Sequence, residues 1–263
     1  MKKLRIAAHM CGWPQEWRES PKQALELAAE AGYDGLEGLG AGTPEELVEV
    51  AALAAEYGVK LVNFSAPDAE MKAIFNATLG NCAAEIPGAH KPAGRELTDE
   101  ELAAVAAELQ PRIDVFNKYH VRPFHHLHVG TILETTADCA RVLEVLPELW
   151  LLFDTGHLLA AGSDPMEVLK RWPDKIAHVH LKNFCTETPA VRWTRQTNGA
   201  EFWQSARFCD LAEGNVGFDV KAALDGLVAA GYHGWIAIEE DHPRRDIPSV
   251  LKDNRAFLKS IGY

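Results

Sequence analysis

What most constrains this chain is a unit that recurs along it: a helix-forming stretch, a glycine, then a short apolar strand. Ala28-Ala29-Glu30-Ala31-Gly32-Tyr33-Asp34-Gly35-Leu36-Glu37 is one copy. Ala54-Ala55-Glu56-Tyr57-Gly58-Val59-Lys60-Leu61-Val62 is a second, and Ala229-Ala230-Gly231-Tyr232-His233-Gly234-Trp235-Ile236-Ala237-Ile238 a third. Glycine after a helix adopts the left-handed conformation that closes the last turn. The helix starts are marked as well. Ser20-Pro21 sets a cap residue before a first-turn proline. Thr43-Pro44-Glu45-Glu46 and Thr98-Asp99-Glu100-Glu101 read as capping boxes, and Asp164-Pro165 is a variant with Asp. Strands are expected at 5–11, 35–39, 60–64, 82–87, 123–128, 149–154, 177–182 and 234–239, with helices between them. Strict alternation of short strands and helices implies a parallel sheet.

Length allows two small domains or one barrel. Eight units in 263 residues select an α/β chain forming a single (β/α)8 TIM barrel over residues 1–263, with a long βα loop at 183–217. No GxGxxG follows the first strand, which argues against a dinucleotide-binding fold. No apolar run reaches the roughly 20 residues that span a bilayer. The basic, then briefly apolar, start lacks the form of a signal peptide. Five scattered cysteines without a CxxC pair indicate neither a disulfide framework nor a zinc ribbon, and suggest a reducing, cytoplasmic setting. A formal charge of −12 disfavours nucleic acid as a partner.

In such a barrel the strand C-terminal ends and the loops after them form the site. Strand seven, Ala177-His178-Val179-His180-Leu181-Lys182, puts Ala177, Val179 and Leu181 on one face and three basic residues on the other. A single inward histidine is usually a satisfied core residue; three inward basic groups are not what a packed interior wants. Strand six ends Phe153-Asp154-Thr155-Gly156-His157, where Asp154 either binds a ligand or caps the next helix. Strand eight brings Glu239 to the inner face, with Glu240 and Asp241 expected in the solvated loop. Strand five directs His126 and His128 inward, with His125 expected on the surface and Glu134 following in the loop. His9, Glu37 and Glu85 end strands one, two and four and are plausible substrate-facing groups. Carboxylates mixed with imidazoles suit a divalent metal, with Mn2+ or Co2+ preferred and Mg2+ or Zn2+ admissible.

Phe153-Asp154-Thr155-Gly156-His157, His178-Val179-His180-Leu181-Lys182-Asn183 and Gly234-Trp235-Ile236-Ala237-Ile238-Glu239 together resemble the xylose isomerase-like (sugar phosphate isomerase/epimerase) barrel superfamily, from Ile6 through Phe257. His126-Leu127-His128-Val129-Gly130-Thr131, with Glu134-Thr135, is similar to inosose dehydratase-like members. The resemblance implies a divalent metal held by a group after strand five together with Asp154, His180 and Glu239, and a substrate contact at His157. Many relatives carry Glu-x-His on strand five, where this chain has His126. Glu134 reaching back is favoured over His126 as the fourth ligand, because a second carboxylate neutralises the ion better.

The activity expected is that of a metal-dependent isomerase or epimerase of a sugar or cyclitol, acting through an enediolate beside a carbonyl. Dehydration of a keto-polyol such as an inosose shares the first step. Glu239 or Glu134 would move the carbon-bound proton, with His157, His128 or Lys182 handling protons on oxygen. His9, His126, His128 and His178 would face substrate. Arg192, Trp193 and Arg195 of the long loop are expected to cover the site, and one arginine to contact substrate oxygens. A metal-dependent nuclease acting at abasic sites and a non-catalytic sugar-binding barrel are weaker alternatives. A homodimer is compatible with the exposed helices and the Trp-rich loop.

Overall fold

The computed structural model describes residues 4–92, 95–188, 191–193 and 199–263. Each unit begins at a local start signal. Thr43, Asp68, Thr98, Thr135, Asp154, Asp164, Asp219 and Asp246 all accept a backbone N–H at a helix N-terminus. Thr98 and Glu101 form the reciprocal box. At Thr43 the box is opened, because Glu46 accepts from the Gly42 amide instead. Ser20 makes no side-chain cap, so Pro21 alone marks that start. Gly32 and Gly58 close their helices at φ of 81° and 69°.

The elements run β1 (Arg5–His9), α1 (Gln15–Arg18), α2 (Pro21–Ala31), β2 (Gly35–Glu37), α3 (Pro44–Tyr57), β3 (Lys60–Val62), α4 (Ala69–Thr78), β4 (Ala83–Glu85), α5 (Asp99–Lys118) and β5 (Arg122–His126). They continue with α6 (Thr136–Val145), β6 (Trp150–Asp154), α7 (Thr155–Ala160), α8 (Pro165–Arg171), β7 (Ile176–Leu181), β8 (Asn183–Thr186), α9 (Gly199–Ser205), β9 (Ala206–Cys209), α10 (Val220–Ala229), β10 (Trp235–Ile238) and α11 (Ile247–Ser260). All eight expected strands are present, shorter at most C-terminal ends, where the chain leaves the ladder to form the rim. The 183–217 connection has structure of its own: β8 and β9 pair as an antiparallel hairpin.

The parallel sheet has the order β3-β2-β1-β10-β7-β6-β5-β4. Its edges, β3 and β4, are joined by asparagines rather than by a ladder among the described residues. Asn81 Nδ2 donates to Leu61 O (3.0 Å), and the Glu85 amide donates to Asn63 Oδ1 (2.9 Å). Asn63 takes a left-handed φ of 43°, which asparagine tolerates better than most residues. Asn76 on α4 knots the seam: it accepts from Phe64 N and Asn81 Nδ2 and donates to Phe64 O and Lys72 O. Asn76→Ala would leave several buried polar groups unpaired, each costing about 1–3 kcal/mol. A loss of about 3 kcal/mol or more is expected in urea unfolding; a loss under about 1 kcal/mol would show that the seam does not depend on this knot.

Alternation sends one face of each strand to the helices and the other to the lumen. Low in the lumen sit Ala7, Val62, Trp235 and Ala237, with a second cluster of Phe124, Leu152 and Ala177; Ala177, expected on the face opposite His178, joins it because the β6–β7 register shifts there, Leu151 pairing with Ile176 and Leu152 with His178. One step further along the same strands the inward residues are His9, Glu37, Glu85, His126, Asp154, His180 and Glu239. The lumen thus changes from apolar to ionic toward the strand C-terminal ends.

Candidate functional site

Four elements converge at this end. Asp154 closes β6 and divides its carboxylate. Oδ1 accepts the His157 amide at the start of α7 (2.8 Å), while Oδ2 lies 2.9 Å from His126 Nε2 and 3.6 Å from His180 Nδ1. Capping and site membership therefore coexist in one side chain. His180 Nδ1 in turn lies 2.6 Å from Glu239 Oε2. Both residues are buried, and at this distance the ring and the carboxylate are paired.

Lys182 is fully buried at the same place. Its Nζ lies 3.0 Å from Glu239 Oε2, 3.2 Å from Asp154 Oδ2 and 3.3 Å from Asp241 Oδ2. Burial alone would lower the lysine pKa, but the three carboxylates outweigh it and hold the ammonium charged. Burial would likewise raise Asp154 and Glu239. Lys182 and His157 keep Asp154 ionised, and His180, Lys182 and His9 keep Glu239 ionised. Gly156 makes the lysine's path: a Cβ there would come within 2.3 Å of the Lys182 stem.

The histidines frame this core. His9 Nδ1 is 3.5 Å from Glu239 Oε1 and accepts the Cys11 amide. The His128 and His157 rings lie 3.6 Å apart, and burial pushes His128 down to about 4. Burial and the nearby Lys182 also depress His157, so both rings are neutral near pH 7. His178 sits deeper, with Nε2 2.7 Å from Glu37 and its ring stacked on Phe124.

Some expected members are not gathered here. Glu134 accepts the Gly130 amide (2.6 Å) in the turn before α6 and belongs to none of the ligand-forming groups. On strand five it is His126 Nε2 that lies beside Asp154, at 2.9 Å from Oδ2. Arg192 lies over Gly162, beyond the end of α7, and Trp193 packs on the cluster formed by Ala160, Phe184, Phe202 and Phe208. Arg195 lies outside the described residues. His125, expected at the surface, is buried on the helix side of β5, its ring filling the space where a side chain at Gly88 would be.

Two site residues were not anticipated. Asp241, expected in solvent, lies 3.3 Å from Lys182 and from Cys11 Sγ. Its backbone is seated on Gly12, where a Cβ would come within 2.5 Å of the Asp241 carbonyl. Burial raises its carboxyl to about 6, Lys182 pulling down and Glu239 pushing up. Phe208 is the long loop's contribution, its ring 4.7 Å from His157 and 4.6 Å from Lys182 Nζ. The only local trace of it is the apolar alternation Ala206-Arg207-Phe208-Cys209.

The donor set fits a divalent cation. His126, Asp154 and His180 offer atoms within 4.8 Å of one another, and Glu239 Oε2 is in contact with His180 Nδ1. Ligand atoms around such an ion stand roughly 3 Å apart. His180 Nδ1 faces both carboxylates, 3.6 Å from Asp154 Oδ2 and 2.6 Å from Glu239 Oε2.

Comparisons with known proteins agree with this architecture. The family model described as xylose isomerase-like TIM barrel matches residues 25–261. Curated relatives include an inosose dehydratase of Clostridium tetani (strain Massachusetts / E88), 29% identical over 154 residues, which are 57% of this chain and 51% of that protein. Another, from Clostridium botulinum (strain Alaska E43 / Type E3), is 32% identical over 142 residues, 53% of this chain and 45% of that protein. The chain therefore matches about half the length of these relatives. Among solved structures, the probable 3-DHS dehydratase AsbF from Bacillus anthracis superposes with a TM-score of 0.72 at 15% identity, covering 97% of this chain and 99% of that one. A D-allulose 3-epimerase from Methylomonas sp. gives 0.70 at 18%, covering 99% of each. An eight-stranded parallel sheet with its polar residues at the strand C-terminal ends, and a family match over nearly the whole chain, lead to one assignment: the chain belongs to the xylose isomerase-like TIM barrels.

Proposed function

We propose that this protein removes a proton from the carbon beside the ketone of a sugar or cyclitol and acts as a cation-assisted isomerase or epimerase. The observation that carries this is the convergence of His126 Nε2, Asp154 Oδ2, His180 Nδ1 and Glu239 Oε2, which brings two imidazoles and two carboxylates into contact at one end of the lumen. His126, Asp154, His180 and Glu239 would hold the divalent cation, which when bound polarises a carbonyl and stabilises an enediolate.

This chain's own groups do the remaining work. Glu239, kept ionised, is the base for the carbon-bound proton. Lys182 faces the oxygens with a charged donor, while neutral His157, 3.9 Å from Asp241, can pass a proton to or from a substrate oxygen. His9 and His128 stand at the edge of the cluster as hydroxyl contacts. Phe208 covers Lys182 and His157 and keeps water from the reacting carbon.

A dehydratase outcome is the second reading, supported by the curated relatives, which are named inosose dehydratases. It needs the same first step, followed by departure of a β-hydroxyl that takes up a proton from His157 or Asp241.

Incubation with ketoses and inososes in deuterated water plus Mn2+, followed by NMR, tests both. Deuterium at the carbon beside the carbonyl, in recovered substrate or in an epimer or isomer, is expected. A dehydrated product assigns the second reading. Chelation should abolish exchange, and Mn2+ or Co2+ should restore it. Full exchange after exhaustive metal removal rejects cation assistance, and binding without any exchange rejects catalysis on that substrate class.

A further inference from the structure

We infer that Glu37 is a positioning residue for His180: its carboxylate accepts a hydrogen bond from Nε2–H, so the ring presents Nδ1 to Asp154 and Glu239. The inference rests on the cation-assisted reading above.

Glu37 ends β2, and His178 and His180 lie on β7, with β1 and β10 between them in the sheet. The carboxylate therefore reaches across the lumen. Oε2 lies 2.7 Å from His178 Nε2, and Oε1 lies 3.3 Å from His180 Nε2 and 2.7 Å from Asn63 Nδ2. Every one of those nitrogens has to donate, because a buried carboxylate can only accept. Asn63 is itself held by the Glu85 amide, and the His178 ring is stacked on Phe124 at 5.1 Å. Neighbours on two sides thus fix the carboxylate.

Glu37 is 1% exposed and both its oxygens are engaged, which leaves no place for a substrate hydroxyl. Among the described residues no Lys or Arg lies within ion-pair distance of it. Its charge is held by His178 and His180, with His9 Nε2 further off at 3.9 Å. A histidine ligates through an unprotonated nitrogen, and the hydrogen bond at the other nitrogen chooses which one that is. A carboxylate at Nε2 makes Nδ1 the ligand atom and raises its basicity. His180 Nδ1 then faces Glu239 Oε2 at 2.6 Å and Asp154 Oδ2 at 3.6 Å.

Two measurements test this. In 15N-histidine-labelled wild-type protein, two-bond H–N spectra should show His180 Nε2 protonated with and without Zn2+. The Zn2+-dependent shift should fall on Nδ1. Mn2+ titration followed by EPR should show affinity reduced about 10- to 100-fold in Glu37→Gln. An unprotonated His180 Nε2, a Zn2+ shift at Nε2, or Mn2+ affinity within about threefold of wild type would overturn the inference. If Glu37→Gln does not fold, the wild-type spectra decide alone. If wild type binds neither Zn2+ nor Mn2+, the cation reading fails, and the metal-free Nε2 proton still tests Glu37.

Discussion

Glu239→Gln is expected to slow deuterium exchange beside the substrate carbonyl by about 10³-fold or more. A positioned general base alone contributes roughly 10²–10⁴-fold. Glutamine keeps the shape of the side chain but cannot accept the carbon-bound proton, and it weakens the cation site at the same time. The substitution also removes one of the three carboxylates around Lys182 and the neighbour of His180 Nδ1 at 2.6 Å. Exchange should therefore be read together with thermal unfolding and Mn2+ binding. If the variant is folded and exchanges within tenfold of wild type, Glu239 is not the base, and the role passes to another carboxylate of the rim.

The second large effect concerns Lys182. Lys182→Met keeps the length of the side chain and deletes its charge. In the metal-free protein this leaves Asp154, Glu239 and Asp241 together without their common counter-ion. Breaking a buried ionic group by removing one partner costs about 3–5 kcal/mol. Denaturant unfolding of the metal-free variant should show a loss of that size. Saturating Mn2+ should recover a substantial part of it, because a divalent charge replaces the ammonium beside the same oxygens and stabilises the folded state by mass action. A variant as stable as wild type without metal would mean that the three carboxylates are not ionised together. A loss that Mn2+ does not reduce would separate the lysine from the cation site.

The barrel was legible because its signals are local. A glycine after each of several helices, cap residues at the starts and short apolar strands between them need only their neighbours to be interpreted. Period-two alternation in Ala177–Lys182 was enough to send His178, His180 and Lys182 to one face. Asp154 and Glu239 followed from being polar at the ends of apolar strands. Which strand-five group lies beside Asp154 was not legible. Glu134 and His126 are eight residues apart, and charge alone favoured the carboxylate. In the structure one Glu134 oxygen accepts the Gly130 amide, while His126 Nε2 stands beside Asp154. Asp241 looked like loop surface. Its place depends on Gly12, 229 positions away, giving the backbone room to descend. Arg192 and Trp193 were conspicuous in an acidic chain, yet the residue of that loop in contact with the site is Phe208.

By itself the sequence determined the eight strands of the parallel sheet, the helices that alternate with them, and which strand ends carry ionisable groups, but not the β8–β9 hairpin. Those properties follow from propensity, capping and periodicity within a few residues. Tertiary structure alone decided that the sheet's edges join through Asn63, Asn76 and Asn81, that Glu37 spans the lumen to His178 and His180, and that Lys182 meets three carboxylates from two strands. These depend on distances between residues far apart in the chain. In a buried site, desolvation makes each group's state a property of its neighbours in space.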